Sequence, residues 1–289
     1  MAAVREQIEA LASELTTSER KIASVLLADY PFSGLQNIQQ LAERTRVSAP
    51  SITRFINKIG CNGYLEFQRL LIGELKERHQ SPVTLKLTES PTTPGRFLSD
   101  YAARIANQVH EMANNITQRQ FDDVCDLVAD PSRNIFLLGG RVSDSIAAML
   151  TIHLRQIRGR IHHLPSNPEF WPEYILRMRK QDVVILFDFR RYQSSLSQLA
   201  DIVSNKRQST IIVITDKWLS PTAAHASHVL TVPTVIGTAW DGQVGAVTLI
   251  EAMIVQISEH GWKAARQRIE QWDEVRISPP VGERSYNEA

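Results

Sequence analysis

The sequence predicts an all-α N-terminal bundle followed by an α/β domain built on a five-stranded, parallel, doubly wound sheet. Three observations carry this. Apolar residues recur at helical spacing as far as residue 78. The stretch HQSPVTLKLTESPTTPG, at 79–95, then breaks the periodicity with prolines and threonines. Beyond residue 134, short Val/Ile/Leu runs alternate with helical patterns, which is how parallel strands covered on both faces read. At 289 residues the chain is long enough for two domains. The predicted boundaries are 1–78 for the bundle, 79–95 for a linker, 96–277 for the α/β domain and 278–289 for a disordered tail.

Residues 4–15 pattern as a helix with Val4, Ile8, Leu11 and Leu15 inward. Thr16, with Glu19 three residues on, forms a capping box for a second helix through Ile22, Val25, Leu26 and Leu27, which stops before Pro31. The stretch IQQLAERTRVSAPSITRFINKIG, at 38–60, holds two short helices joined by a tight turn. Ile38, Leu41 and Ala42 share one face of the first, and Ile52, Phe55, Ile56 and Ile59 form a stripe along the second. Val47 plugs the turn, Ser48 stands at the N-cap, and Pro50 suits a first helical turn. The face left over carries Ser48, Ala49, Ser51, Arg54 and Lys58, with Thr53 beside it. Small and hydroxyl residues at a helix start, with Arg a turn or two on, suit insertion into a major groove. The same pattern fits an ordinary helical hairpin.

Charge separates the two readings. Arg44, Arg46, Arg54 and Lys58 lie between Arg44 and Leu65, where no acidic residue occurs, although 1–80 as a whole is nearly neutral. A local basic face on a neutral domain is the footprint of phosphate contact. The candidate DNA-binding set is therefore Arg46, Ser48, Ala49, Ser51, Thr53, Arg54 and Lys58. Arg46 occupies a turn position where glycine is usual, at some conformational cost. A turn at Gly60–Gly63 then leads into a helix with Leu65, Leu70, Leu71 and Leu75 apolar, which completes the bundle.

A formal charge of +1 gives no global attraction to nucleic acid, so affinity for DNA must come from that patch. Cys61 and Cys125 fall in different predicted domains without metal-ligand spacing and read as buried, reduced thiols. The N-terminus lacks a signal-peptide core, and no run approaches the 18 or so apolar residues of a membrane span. The expected compartment is the cytosol, with no membrane partner.

Helices are expected at 97–116 and 118–129. Strands follow at 134–138, 160–164, 182–188, 210–214 and 228–232, with helices at 143–157, 172–179 and 194–206, a shorter connection at 220–226, and closing helices at 243–260 and 262–275. Ligands of such sheets bind outside the carboxyl ends of the strands. In LLGGRVSDS, at 137–145, Gly139 and Gly140 permit a tight turn and Ser143 lies at a helix N-terminus, as an anion ligand or simply as a cap. This loop does not supply a dinucleotide fingerprint. In FDFRRYQSS, at 187–195, Arg190 and Arg191 leave a buried strand beside Asp188, Tyr192 and Gln193. They offer bidentate forks for carboxylate or phosphate, or a salt bridge with Asp188 that fixes the loop. Thr215 and Trp218, and Trp240, Asp241 and Gln243, sit at further loops as candidate ligand contacts or as packing and caps. His162, His163, His225 and His228 read as solvated or structural, and neither a metal site nor a catalytic constellation emerges.

With these elements assembled, the chain resembles the RpiR/MurR family of bacterial transcriptional regulators over roughly 1–275. The marks are LTTSERKIASVLL at 15–27, the 38–60 stretch, GYLEFQRLL at 63–71, LLGGRVSDSIA, DVVILFDF and TIIVITD. The family joins a helix-turn-helix to a SIS (sugar isomerase) domain. The resemblance implies a homodimer or homotetramer whose DNA affinity responds to a sugar phosphate or related metabolite. Two departures bear on the ligand. The family's Gly-x-Gly-x-Ser loop matches at Ser143 but has Arg141 at the second glycine. Its Ser-x-Ser-Gly-x-Thr loop reads Asp188, Phe189, Arg190, Arg191, Tyr192, Gln193 here. The expected effector site is Gly139, Arg141, Ser143, Asp188, Arg190, Arg191 and Gln193, clamping a small anionic, phosphorylated or carboxylated metabolite. No cofactor is implied.

The expected function is a ligand-responsive DNA-binding regulator, not an enzyme, acting as a dimer on an inverted-repeat operator. The alternative is a sugar-phosphate isomerase or lyase on the same scaffold, with Glu169, Glu173 and Glu251 as the glutamates to test. A third reading is a constitutive DNA binder whose SIS domain only oligomerises.

Overall fold

The computed structural model describes residues 4–28, 30–78, 82–87 and 95–276. The chain divides into two compact units, Met1–Glu89 and Ser90–Ala289.

The first unit comprises α1 (Val4–Ala10), α2 (Thr17–Ala28), α3 (Phe32–Leu35), α4 (Ile38–Thr45), α5 (Ala49–Lys58), α6 (Tyr64–Arg78) and α7 (Pro82–Leu87). Ile8, Ile22, Leu26, Leu41, Ile52, Phe55, Ile56, Phe67 and Leu71 form its core, each almost wholly buried. The expected capping box closes: Glu19 Oε2 accepts from Thr16 N at 2.8 Å, and Thr16 Oγ1 accepts from Glu19 N at 3.4 Å. The first helix is shorter than its periodicity predicts. It ends at Ala10 and gives way to a 3₁₀ turn at Ala12–Glu14, which brings Leu15 inward on an extended backbone. One turn, α3, has no counterpart in the periodic pattern. It lies flush on α6 because Gly34 has no side chain; a Cβ there would fall 2.4 Å from Leu71 Cδ1. Helix α7 lies within the stretch predicted as a linker. Pro82 opens it, where a missing N–H leaves no helical bond unmade. Residues 79–81 and 88–94 of that stretch, and the predicted tail, lie outside the described residues.

The second unit begins with α8 (Phe97–Asn115) and α9 (Gln118–Ala129). It continues β1 (Ile135–Gly139), α10 (Asp144–Ile157), β2 (Ile161–His163), α11 (Trp171–Ile175), β3 (Val183–Asp188), α12 (Ser194–Arg207), β4 (Thr210–Thr215), β5 (His228–Thr231), α13 (Val244–His260) and α14 (Trp262–Glu274). All strand pairs are parallel, in the order β2-β1-β3-β4-β5. Side chains alternate between two cores. Ile135, Leu137, Ile185, Phe187, Ile212 and Ile214 pack on α9, α10 and α13, while Phe136, Leu138, Val184, Leu186 and Val213 pack on α11 and α12.

The predicted helix at 172–179 is corrected by the structure. Only Trp171–Ile175 is helical, after a 3₁₀ turn at Pro168–Phe170. Downstream of it, Arg179 N–H donates to Asp182, whose other oxygen accepts from Asn134 N and Nδ2, tying the chain down at the start of β3. Both cysteines are buried and free; burial pushes the Cys125 thiol up to about 12, with Asp122 and Asp126 adding to it. Among the described residues no helix is long and apolar enough to cross a membrane.

Candidate functional site

Two separate sites emerge, one in each unit. In the first, α4 starts with a closed capping box between Asn37 and Gln40 and ends at Arg46 in the left-handed conformation, φ 54°. The Val47 N–H then reaches back to Ala42 O at 3.1 Å, and Val47 packs on the core as the turn's plug. Ile52, Phe55 and Ile56 anchor α5 from below. Ser48 stands at the N-cap position of α5, but its hydroxyl does not cap the helix. It lies 3.0 Å from Ser51 Oγ, which also accepts from Arg54 Nη2 at 3.0 Å. Ser48, Ser51 and Arg54 thus form one hydrogen-bonded row along the helix.

The other three members of the expected DNA set on α5 differ. Ala49 is half-buried, and Thr53 Oγ1 bonds back to Ala49 O at 3.2 Å. Lys58, exposed, donates to Glu14 O at 2.9 Å and to Glu19 Oε2 at 3.0 Å. Glu19 is held below the usual carboxylate range by the Thr16 N–H first, against burial, and then by Lys58.

The second site follows from topology. With β2 on one side of β1 and β3 on the other, the switch point lies between β1 and β3, where doubly wound sheets open a crevice. The two loops singled out from sequence are the ones leaving these strands. Gly140 is their meeting point. A Cβ on it would lie 3.3 Å from Ser143 Oγ, 3.7 Å from Gln193 Cδ and 3.8 Å from Asp188 Oδ1. Gly139 serves packing, because a Cβ there would strike the Asp144 N at 2.4 Å. Ser143 is a further correction. Its hydroxyl neither caps α10 nor opens outward; it accepts from Gly140 N at 2.9 Å and donates to Phe187 O at 2.7 Å, pinning the first loop to β3.

The second loop is held from beneath. Asp188, buried, accepts from Thr222 Oγ1 at 3.0 Å, from Ser220 Oγ, and from Gln193 N at 3.3 Å. Asp188 thus ties the loop to Ser220 and Thr222. Arg190 is turned inward: Nε donates to Asp241 Oδ2 at 3.1 Å, Nη2 pairs with the other oxygen, and the guanidinium carbon lies 4.9 Å from the centre of the Trp218 ring. Arg141 and Arg191 are exposed, and Arg191 adopts φ 67°.

Three features escape sequence reasoning. Asp216 is buried at the end of β4 and accepts from Tyr192 Oη at 2.5 Å, from Arg190 N at 2.6 Å and from Trp218 N at 3.1 Å. Burial pushes its carboxyl up to about 6 against those three donors. A sequence signal for it exists, as an acid ending one buried strand opposite two arginines ending its neighbour. His163, which reads from sequence as solvated or structural, donates from Nε2 to Asp144 Oδ1 at 2.9 Å, beside the Gly139 N–H. Gln108 on α8 and Thr234 are buried with side-chain polar atoms that lack partners, next to the similarly unpartnered Gln243 Oε1 ahead of α13. A Cβ on Gly242 would lie 2.9 Å from Gln108 Oε1. Nothing in the local pattern of a long amphipathic helix marks that glutamine. Among the described residues no three His, Cys, Asp or Glu side chains converge as a metal site.

Comparison with known proteins gives two family matches. Residues 2–78 match the rpiR-family helix-turn-helix domain, and residues 130–256 match the SIS domain. An uncharacterised HTH-type transcriptional regulator of Haemophilus influenzae is 24% identical over 229 residues, covering 78% of this chain and 78% of its own. Among solved structures, the sugar isomerase domain of an RpiR transcription factor from Sphaerobacter thermophilus superposes with a TM-score of 0.56 at 16% identity, covering 62% of this chain and 99% of its own. The Vibrio vulnificus NanR protein complexed with ManNAc-6P superposes with a TM-score of 0.53 at 16% identity, covering 94% and 97%. A putative sugar-phosphate isomerase from Listeria monocytogenes gives 0.52 at 17% identity, covering 64% and 100%.

Proposed function

We propose, from the premise that this chain belongs to the rpiR family of helix-turn-helix, SIS-domain transcriptional regulators, that α5 reads duplex DNA under the control of a small anionic carbohydrate derivative. The observation that carries the DNA half is the row Ser48–Ser51–Arg54, prearranged along α5 beside its buried Ile52, Phe55 and Ile56. Short hydroxyls near the helix start allow close approach to base edges, and Arg54 supplies a fork for guanine. The ligand half rests on the switch-point crevice, with Gly140, Asp188 and Gln193 at its base. Arg141 and Arg191 are the exposed cations of its two loops. A phosphorylated amino sugar, the class named for NanR, is an anion of suitable kind. The protein acts in the cytoplasm as a homo-oligomer, so that two recognition helices about 34 Å apart meet an inverted repeat.

The sugar-phosphate isomerase reading finds less support. Glu169, Glu173 and Glu251 are all exposed, whereas a general base works from a sheltered position within reach of its proton. An electrophoretic mobility shift on the gene's own upstream region tests the DNA reading. Sequence-specific retardation is expected, and Arg54→Ala weakens it by about 1–3 kcal/mol while leaving binding to random duplex nearly unchanged. Equal loss on both duplexes would make Arg54 a phosphate contact; no shift at all would reject the DNA reading.

A further inference from the structure

We infer that a groove between α2, which lies outside the helix-turn-helix, and the C-terminal end of α4 is a seat for the DNA sugar-phosphate backbone; this rests on the DNA-binding reading above. The groove has a volume of about 550 Å³ and is lined by Arg20, Lys21, Arg44 and Arg46, with the hydroxyls of Thr17 and Ser24 between them. Among the described residues no carboxylate lines it. Glu19, the acid nearest in sequence on α2, is already engaged by Thr16 N–H and Lys58.

The chemistry of these six side chains selects the ligand. A phosphodiester offers non-bridging oxygens and one negative charge per nucleotide. Guanidinium forks, an ammonium and hydroxyl donors are the groups that hold such oxygens. The groove is open along its length, unlike the enclosed pockets that take small metabolites. Arg46 gives the seat its geometry. It caps α4, its neighbour Val47 anchors the turn into α5, and its side chain lines the groove. A phosphate held there stands at a fixed distance from Ser48, Ser51 and Arg54, and so sets the register in which those residues meet base edges. The basic footprint read from sequence therefore widens: Arg20 and Lys21, from a helix outside the motif, join it.

Because phosphate contacts are independent of sequence, the test needs no known operator. Fluorescence anisotropy of the full-length protein on a duplex of arbitrary sequence, over a salt series, gives the slope of log K against log salt. Arg20→Ala, Lys21→Ala and Arg46→Gly are each expected to flatten that slope by about 0.9, the increment of one neutralised phosphate. Glycine is chosen at Arg46 because alanine would keep the left-handed strain. Lys21→Arg should restore the slope, and Lys263→Ala on α14 should keep it while removing the same charge from the chain. Thermal midpoints establish that each variant is folded. Salt-dependent binding by wild type with unchanged slopes in the three variants overturns the seat and leaves DNA binding standing. A wild type that does not bind duplex overturns both. Inorganic phosphate that raises the thermal midpoint of wild type but not of Lys21→Ala, with slopes unchanged, gives the groove to a small anion instead.

Discussion

The Arg190 side chain is 3% exposed, its guanidinium facing both oxygens of Asp241. The next residue, Arg191, is exposed at φ 67°. Two adjacent arginines that look alike in sequence are therefore expected to behave oppositely. Arg190→Ala leaves Asp241 facing a desolvated gap and should cost about 3 kcal/mol in urea unfolding. The double variant with Asp241→Ala should cost less than the two single changes summed. Additive losses would mean that the two side chains do not depend on each other. At Arg191 the left-handed conformation costs a non-glycine residue about 1–2 kcal/mol. Arg191→Gly should therefore raise stability by about 1 kcal/mol, since this is the position where the family's phosphate loop carries glycine. The same variant should lose affinity for an anionic ligand, measured by calorimetry with a phosphorylated sugar. A stabilised variant that binds as well as wild type would remove Arg191 from the site. Arg46 repeats the pattern in the other unit, with φ 54° where glycine is usual. At both places a charged residue sits at a backbone cost.

At the scale of elements, the β3–α12 loop is fastened by Asp216 from the neighbouring strand, and its carboxyl titrates near the working range. Its folded value, about 6, lies above the ordinary 3.8, so the folded state binds a proton more tightly than the unfolded chain. That stabilisation is complete below the unfolded value and is lost as pH rises through the folded one. Relative to Asp216→Asn, wild type should therefore lose on the order of 3 kcal/mol between about pH 4 and pH 6, and little more above pH 7. Parallel stability curves for the two proteins would show that Asp216 titrates as it does in water.

Elements of this kind are legible in the sequence to different depths. The continuous apolar runs of β3 and β4, rich in Val and Ile, read as buried strands, and Thr16–Glu19 closes the box its spacing promises. Ser48 and Ser143 do stand at helix starts, yet their hydroxyls bond elsewhere: Ser48 with Ser51 one turn along, and Ser143 with Phe187, 44 positions away and within reach only in the folded chain. Lys58 meets Glu19 across 39 positions, and Arg190 meets Asp241 across 51. Pairings at such separations leave no periodic trace, so the charges of a candidate site can be recognised in the sequence but not assigned. Helix α7 is hidden for another reason: prolines and threonines mark a linker by composition, while Pro82 at a first helical position starts one.

For the whole molecule, an input crevice in one unit and a reading helix in the other make a regulator only if the two are thermodynamically coupled. A ligand shifts DNA affinity by as much as it prefers one state over the other, typically about 5–150-fold, or 1–3 kcal/mol. Linkage then fixes a second quantity: saturating DNA must change ligand affinity by the same factor. Operator affinity measured with and without a phosphorylated sugar, and sugar affinity measured with and without operator, should agree at one protein concentration. Arg191→Gly should weaken sugar binding but leave operator affinity in the absence of sugar unchanged, since its effect is confined to the crevice. Factors that differ beyond error would mean that the two measurements do not follow the same assembly. Factors of one at both ends, with sugar binding intact, would make the crevice silent and the protein a constitutive DNA binder whose SIS domain serves only to oligomerise.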